Sequence, residues 1–154
     1  IALQLDPGYD ILTLGAAATF HDLGKYYTPI EILQKPGRLT PEEFSIIKLH
    51  PQASWQLLME SHGEIIAEIA LQHHERMDGS GYPRGLHADA IRMDARIIAV
   101  ADVFDAITSK RSYNNPVSYE QALSIMEQEQ QLYDSDVLHA LHILVREKRL
   151  SISI

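Results

Sequence analysis

The chain has 154 residues, 45% of them hydrophobic, a formal net charge of −8 and no cysteine. This length and composition are typical of one globular domain with a sizeable core, and the lack of cysteine excludes disulfides, thiolate catalysis and cysteine-ligated metals. The acidic balance argues against binding to duplex nucleic acid, and no apolar run or signal peptide indicates membrane contact or secretion, so we expect a cytoplasmic protein.

Helical patterns follow one another along most of the chain, and no alternating β pattern of useful length interrupts them. Apolar residues at helical spacing predict helices over residues 9–20, 40–49, 52–60, 64–73, 94–109, 118–129 and 135–148. Capping boxes mark two of the starts, at Thr40 and at Ser118. The apolar helix over 94–109 is predicted to be central and buried, and the Gly- and Pro-rich residues 78–83 predict a loop. The expected fold class is therefore all-α.

The first residues match the last turns of a helix whose beginning is missing. Residues 1–5 (IALQL) are followed by Asp6-Pro7-Gly8, which would end a helix. A single apolar turn is unstable alone because helix nucleation is costly. We therefore expect residues 1–154 to be a single domain that is truncated at its N-terminus, with its first helix incomplete.

A histidine and an aspartate follow one another at the end of the first long helix. His21 and Asp22 offer an imidazole nitrogen and a carboxylate oxygen, donors that suit iron, manganese or zinc, and Lys25 shares the helical face of His21. Adjacent helical residues point about 100° apart, so both reach one centre only at a helix end or if Asp22 bridges two metals. For this pair alone, a chance helix C-cap is the alternative interpretation.

Further histidines and another aspartate occupy comparable positions. His50 precedes a proline at a helix boundary, and His73 and His74 end an apolar helix. Asp102 lies within an apolar helical stretch, where a carboxylate is costly unless it is paired or binds metal. Solvent-exposed histidines and an ion-paired Asp102 are the alternatives. The candidate ion-pair partners of Asp102 are Arg96, Lys110 and Arg111.

Taken in order, these motifs resemble the HD-GYP family, the bacterial branch of the HD phosphohydrolase superfamily that hydrolyses cyclic di-GMP. The resemblance extends from His21 to about Leu141 and the ordered set is highly specific. It rests on HDLGK at 21–25, ILQKPGRLT at 32–40, LHP at 49–51, HHERMDGSGYPRGL at 73–86, ARI at 95–97, ADVFDA at 101–106 and TSKR at 108–111. The fold that it implies is an HD-type helical bundle with a Gly/Pro-rich GYP loop.

Carried over position by position, the resemblance implies a cluster of two or three divalent transition-metal ions. Iron or manganese is expected first, with zinc or nickel as alternatives. The implied ligands are His21, Asp22, His50, His73, His74 and Asp102. Asp22 would bridge two metals, and Asp22 and Lys25 would be the catalytic residues. The implied substrate-binding residues are Lys25, Arg111 and Tyr82, with Gly81-Tyr82-Pro83 bordering the pocket; loop packing is the alternative role for Tyr82.

The function that the resemblance implies is metal-dependent hydrolysis of cyclic di-GMP to pGpG, GMP or both, in bacterial second-messenger signalling. Paired metals suit this reaction because they neutralise a phosphodiester and lower the pKa of water. The implied partners are cyclic di-GMP, an upstream sensory or receiver domain, and a diguanylate cyclase (GGDEF) domain that docks on the GYP loop. The alternative is a weak or inactive module that binds the nucleotide or a partner protein.

Three departures from the family pattern bear on this choice. No histidine or glutamate precedes His21, although family members usually carry a further ligand in the preceding helix. Asn114 stands where the family commonly has a lysine on the substrate phosphate, so we expect weak binding that Asn114→Lys would tighten. Both features favour the binding module. Tyr26-Tyr27 replace smaller residues and are expected to narrow the pocket.

Overall fold

The computed structural model describes residues 1–109 and 117–150, and every regular element within these ranges is helical. Nine α-helices follow in chain order within them: α1 (Ala2–Leu5), α2 (Ile11–Phe20), α3 (Ile30–Leu33), α4 (Pro41–Ile47), α5 (His50–His62), α6 (Glu64–Gln72), α7 (Met93–Thr108), α8 (Tyr119–Gln128) and α9 (Ser135–Arg146). Short 3-10 helices lie at Leu23–Tyr27, Ala88–Ala90 and Gln130–Leu132. The all-α prediction is confirmed.

Local signals place the helix starts. At α4, Thr40 Oγ1 accepts a hydrogen bond from Glu43 N, and the Glu43 carboxylate accepts one from Thr40 N. The boundary between α4 and α5 differs from the prediction, since α4 ends at Ile47 and α5 begins at His50 rather than at Gln52. The reason is Pro51, which fits the first turn of a helix because the N–H it lacks would have no helical partner there.

The largest core cluster lies where α7, α8 and α9 pack together. Val100, Met126 and Leu141 are fully or almost fully buried in it. α1 packs against α9 and adds Ala2 to the same cluster. This packing stabilises a helical turn too short to persist alone.

The expectation of a central buried helix is correct only for the first half of α7. Ile97, Ile98 and Val100 are buried, whereas Ala101 and Asp105 are exposed. An apolar sequence permits burial on any side of a helix, but the neighbouring helices cover only one side of the second half. None of the helices in the described ranges combines the length and apolar character needed to cross a membrane.

α5 and α6 form a hairpin that brings distant residues together. Gly63 alone joins them, with a φ of +83° that favours glycine. The hairpin returns the chain so that His50, at the start of α5, lies beside His73, at the end of α6. The 3-10 helix Leu23–Tyr27 packs on α5, so three segments present histidine or aspartate at one place.

Candidate metal centre

Six polar side chains converge where these segments meet. Asp22, His50, His73 and His74 offer ligand atoms that all lie within 4.8 Å of one another. His21 Nε2 lies 3.5 Å from Asp22 Oδ2 and 4.0 Å from Asp102 Oδ1. The structure therefore brings together every residue predicted as a metal ligand. Their binding of metal stays a prediction.

Three of the histidines are oriented by the helix backbone. In His21, His50 and His73, Nδ1 lies 2.8, 2.7 and 2.6 Å from a carbonyl oxygen three residues earlier in the chain. A neutral imidazole that donates from Nδ1 carries its lone pair on Nε2. Nε2 is the atom that faces the cluster in all three residues. The backbone thus selects the tautomer that a metal ligand needs.

The donor set fits a divalent transition metal. His50 Nε2 lies 3.3 Å from His73 Nε2 and 3.2 Å from Asp22 Oδ1. When both histidines are neutral and protonated on Nδ1, all three of these atoms are acceptors that face one another. His21 Nε2 and Asp22 Oδ1 are buried and have no hydrogen-bond partner among the described residues. Converging lone pairs repel, and a cation bound among them removes that repulsion.

The ionisation states also suit metal binding. Burial, with repulsion from His21, lowers the pKa of His73 to about 3. Burial likewise lowers the pKa of His74 far below its ordinary value. Burial alone would raise the pKa of Asp22, but His50 and Lys25 hold this pKa well below its usual range. Neutral imidazoles and an ionised carboxylate are the forms that bind metals.

Asp22 presents its two carboxylate oxygens to different neighbours. Oδ1 faces His50 and lies 3.8 Å from His73 Nε2. Oδ2 faces His21 and accepts a 2.5 Å hydrogen bond from Lys25 Nζ. A carboxylate with separate groups at its two oxygens has the arrangement that a bridging ligand requires. The Lys25 side chain is 36% exposed, so its ammonium group borders both the cluster and solvent.

Ser54 and Gly24 hold the turn that carries Asp22, a role that no motif in the sequence predicted for them. The buried Ser54 Oγ donates to the His21 carbonyl oxygen and accepts from Gly24 N, at 2.7 and 2.8 Å. A Cβ at Gly24 would lie 2.1 Å from the His50 carbonyl oxygen, so only glycine, which has no Cβ, fits at this position. The sequence signal that could have indicated this role is Ser54 itself, a small polar residue on the inner face of α5.

Asp102 is less buried than its apolar surroundings predicted, so the expectation of a carboxylate buried within the helix was wrong. Its side chain is 29% exposed, because it lies on the second half of α7. The alternative ion pair with Arg96 is also wrong, since Arg96 binds Asp134 at 3.0 Å. Lys110 and Arg111, like Asn114, lie outside the described residues. The observation that favours a ligand role for Asp102 is its contact with His21.

Tyr82 packs directly on the cluster. Its ring stacks on the His74 ring with centroids 4.7 Å apart, and its N–H donates to the His74 carbonyl oxygen. The Phe44 ring packs edge-on against the Tyr82 ring, with centroids 6.2 Å apart. The Tyr82-Pro83 peptide bond is cis. These contacts match the loop-packing role, while contact with substrate stays a prediction.

Glu75 is a buried carboxylate for which no motif in the sequence predicted a role. It is 2% exposed, and its two oxygens accept hydrogen bonds from Arg84 N and Leu86 N at 2.7 and 2.9 Å. Gly81 passes so close that a Cβ there would lie 2.5 Å from Glu75 Cα. The segment around Tyr82 is thus attached to the residue that follows His74. The sequence signal that could have indicated a role for Glu75 is its position directly after two candidate ligands, His73 and His74.

The two tyrosines after Lys25 do not close the site. Tyr26 is 86% exposed and Tyr27 is 65% exposed. Tyr27 lines a cavity of about 380 Å³ beside His50, together with residues of α4 and α5 such as Ile46 and Ala53. Narrowing of the substrate pocket by the two tyrosines stays a prediction.

The sequence model of the HD domain family matches residues 2–137. The chain belongs to the HD domain family, which confirms the family that the motifs indicated.

Known relatives show the same relationship. The chain is 48% identical over 135 residues to a cyclic di-GMP phosphodiesterase of Thermotoga maritima, an alignment that covers 85% of this chain and 37% of that protein. It is 47% identical over 110 residues to the 3′3′-cGAMP-specific phosphodiesterase 1 of Vibrio cholerae serotype O1, covering 71% of this chain and 26% of that protein. The chain thus spans about a third of the length of these relatives.

A solved structure has the same fold. Bd1817, an HDG"Y"P protein from Bdellovibrio bacteriovorus, superposes with a TM-score of 0.73 at 21% identity. The match covers 94% of this chain and 48% of that one. The helical bundle of the HD type is therefore established for the described residues.

Proposed function

We propose that residues 1–154 form a single HD-GYP domain that hydrolyses cyclic di-GMP to pGpG, GMP or both, with divalent metals as cofactors. The observation that carries this proposal is the convergence of His21, His50 and His73 around Asp22, each with Nε2 directed inward. The name of the Thermotoga maritima relative supports hydrolysis over a module that only binds.

The six converging side chains would hold two or three metal ions. His50, His73 and His74 would bind on the Oδ1 side of Asp22, and His21 and Asp102 on the Oδ2 side, with Asp22 as the bridge. Iron or manganese is proposed first, because imidazole and carboxylate ligands together suit them, with zinc or nickel as alternatives. When bound, such ions neutralise a phosphodiester and lower the pKa of a water molecule.

The remaining residues of the site would orient ligands and substrate. Lys25 would donate to a phosphate oxygen or to the leaving oxygen, and its contact with Asp22 at the rim of the site supports this role. Tyr82 would keep the His74 ring in place by stacking and border the substrate. Arg111 is proposed as a further phosphate contact. The local positive field would admit an anionic substrate although the net charge is −8.

The test is product chromatography with the metal-loaded full-length protein and cyclic di-GMP. Wild-type protein should release pGpG or GMP, whereas Asp22→Asn, which keeps the shape but not the charge of the ligand, should release neither. Wild-type protein that binds its metals and yields no product would contradict the proposal and favour the binding module.

A second substrate, 3′3′-cGAMP, is favoured by the name of the Vibrio cholerae relative. The same assay at equal concentrations of the two dinucleotides would rank them by kcat/KM. A higher value for 3′3′-cGAMP would replace cyclic di-GMP as the substrate and leave the hydrolytic reaction unchanged.

The partners and location are proposed on the same basis. An upstream sensory or receiver domain would regulate the site, and a diguanylate cyclase (GGDEF) domain would dock on the segment around Tyr82, where Pro83 and Arg84 are exposed. A cytoplasmic location is proposed because a cyclic dinucleotide messenger would be hydrolysed there. Binding of a purified GGDEF domain to wild-type protein and to an Arg84→Glu variant would test the docking.

A further inference from the structure

Lys48 holds a positive charge over two aromatic rings at the edge of the candidate metal centre. It is exposed and directly follows α4. Its Nζ lies 4.8 Å from the centroid of the Phe44 ring and 5.3 Å from that of Tyr82. These distances are those of cation–π contacts. The aromatic rings restrict the ammonium group without neutralising it.

Two other lysines near the site are paired with carboxylates, whereas Lys48 is not. Lys25 binds Asp22, and Lys35 binds Glu43 at 2.7 Å. Among the described residues, Lys48 forms no ion pair. A lysine held in place without a counter-ion can bind an anion without first breaking an ion pair, so less interaction energy is lost on binding.

The position of Lys48 relates it to the metal centre. Tyr82, over whose ring its ammonium group lies, also stacks on the ring of the candidate ligand His74. Lys48 and His74 are thus separated by one aromatic ring. A ligand larger than a single phosphodiester could contact both the metals and Lys48.

We propose that Lys48 is a substrate-binding residue that recognises the second phosphate of the cyclic dinucleotide, the one that is not being cleaved. The proposal rests on the proposed function. A cyclic dinucleotide carries two phosphodiester anions on opposite sides of its macrocycle, and the metals with Lys25 would serve the one that is cleaved. Lys48 supplies a positive charge to the other phosphate, and this contact favours substrates with two phosphates over those with one.

The test compares two substrates with the metal-loaded full-length protein. Cyclic di-GMP has two phosphates, and bis(4-nitrophenyl) phosphate has one. For Lys48→Met we expect KM for cyclic di-GMP to rise about tenfold, the size of a charge-assisted contact at an exposed site, with kcat changed little. The fall in kcat/KM should be about tenfold greater for cyclic di-GMP than for bis(4-nitrophenyl) phosphate.

Two further variants separate charge from packing. Lys48→Arg keeps the charge and the stacking and should restore KM to within about threefold of wild type. Lys148→Met removes an equal charge after α9, a helix that contributes no residue to the cluster, and should behave as wild type. Added salt should raise KM for wild-type protein more than for Lys48→Met, because the contact is exposed.

Each outcome decides between the proposals. Equal falls in kcat/KM on both substrates would show that Lys48 only supports Tyr82. An unchanged KM for cyclic di-GMP would show that Lys48 faces no substrate. Either result overturns the Lys48 proposal and leaves the proposed function intact. Wild-type protein that hydrolyses bis(4-nitrophenyl) phosphate but not a cyclic dinucleotide would overturn the proposed function, and the role of Lys48 with it.

Discussion

The nitrogen that a histidine presents to the cluster is decided by a backbone carbonyl group one turn earlier. In His50 and His73 that carbonyl oxygen lies close enough to Nδ1 to accept its proton, which leaves the Nε2 lone pair free to bind. The proposed metal binding would therefore depend on intact helix ends as well as on the ligands themselves. A substitution that frays the end of α6 would weaken the site without removing a ligand.

Asp22→Ala should abolish hydrolysis, with a fall of at least about a hundredfold. The variant lacks the carboxylate that faces both halves of the cluster, so metals there would repel one another without a bridging anion. Rates and metal content measured together would check this, with Asp89→Ala, an exposed aspartate on a separate 3-10 helix, as the control. Full activity at wild-type metal content would exclude the bridging role.

Gly24→Ala should destabilise the protein by about 2–3 kcal/mol, because its Cβ would overlap the backbone carbonyl oxygen of His50, which cannot turn aside. Gly15→Ala is the matched control, since nothing lies within 4 Å of a Cβ there and the residue is inside α2. Alanine at that position should stabilise by about 0.5–1 kcal/mol. Urea denaturation would measure the free energy of unfolding of both variants. A Gly24→Ala variant as stable as wild type would show that the turn around Gly24 can shift to accommodate a Cβ.

At the scale of elements, the site combines a rigid hairpin with an attached loop. α5 and α6 pack along their lengths, whereas the segment around Tyr82 contains no helix and depends on single contacts. Glu75 supplies two of those contacts, and both are charge-assisted hydrogen bonds to backbone N–H groups. The loop should therefore be the part of the site most sensitive to one substitution.

Glu75→Gln should loosen this loop and destabilise the protein by about 1–3 kcal/mol. The amide retains one acceptor, while its NH₂ group faces a second N–H donor and leaves it unsatisfied. Hydrogen exchange at the amides of Arg84 and Leu86 should become faster. Glu60→Gln, at an exposed position of α5, should leave both rates unchanged. Unaltered protection in Glu75→Gln would mean that the loop is held by other contacts.

Across the whole molecule, most of the candidate metal centre lies apart from the largest core cluster, and only Asp102 comes from one of the helices that form it. That cluster is formed by α7, α8 and α9, while the candidate ligands come mainly from the ends of α2, α5 and α6. Ionisable groups are thereby crowded without interrupting the apolar packing. Bound metal should therefore stabilise the region around Asp22 more than it stabilises the core formed by α7, α8 and α9.

Metal removal should lower both activity and thermal stability. Ligands that bind the folded state stabilise it by mass action, by about 3–4 kcal/mol at 100 to 1,000 times Kd. For a chain of this length such a change corresponds to roughly 5–15 °C in Tm. Thermal scans of chelator-treated and manganese-loaded protein would measure it, and Asp22→Ala should show little of this shift. Identical Tm values with and without metal would contradict the proposed cluster.

Much of the fold was predictable because its signals are local. The capping boxes at Thr40 and Ser118 formed as predicted, since their partners lie three residues away. The contacts of Ser54 and Glu75 were not predictable, because they depend on how α5 docks on the preceding turn and how a loop folds back. The exposed side of α7 escaped prediction for the same reason, as spacing along one helix does not state which neighbours cover it.

The α5–α6 hairpin has a consequence for how related genes can diverge in length. His50 and His73 are 23 positions apart, yet their Nε2 atoms meet at 3.3 Å. One residue inserted into α6 would rotate the following side chains by about 100° and advance them by about 1.5 Å, so His73 would leave the cluster. Insertions and deletions between these histidines should therefore be rare in active homologues.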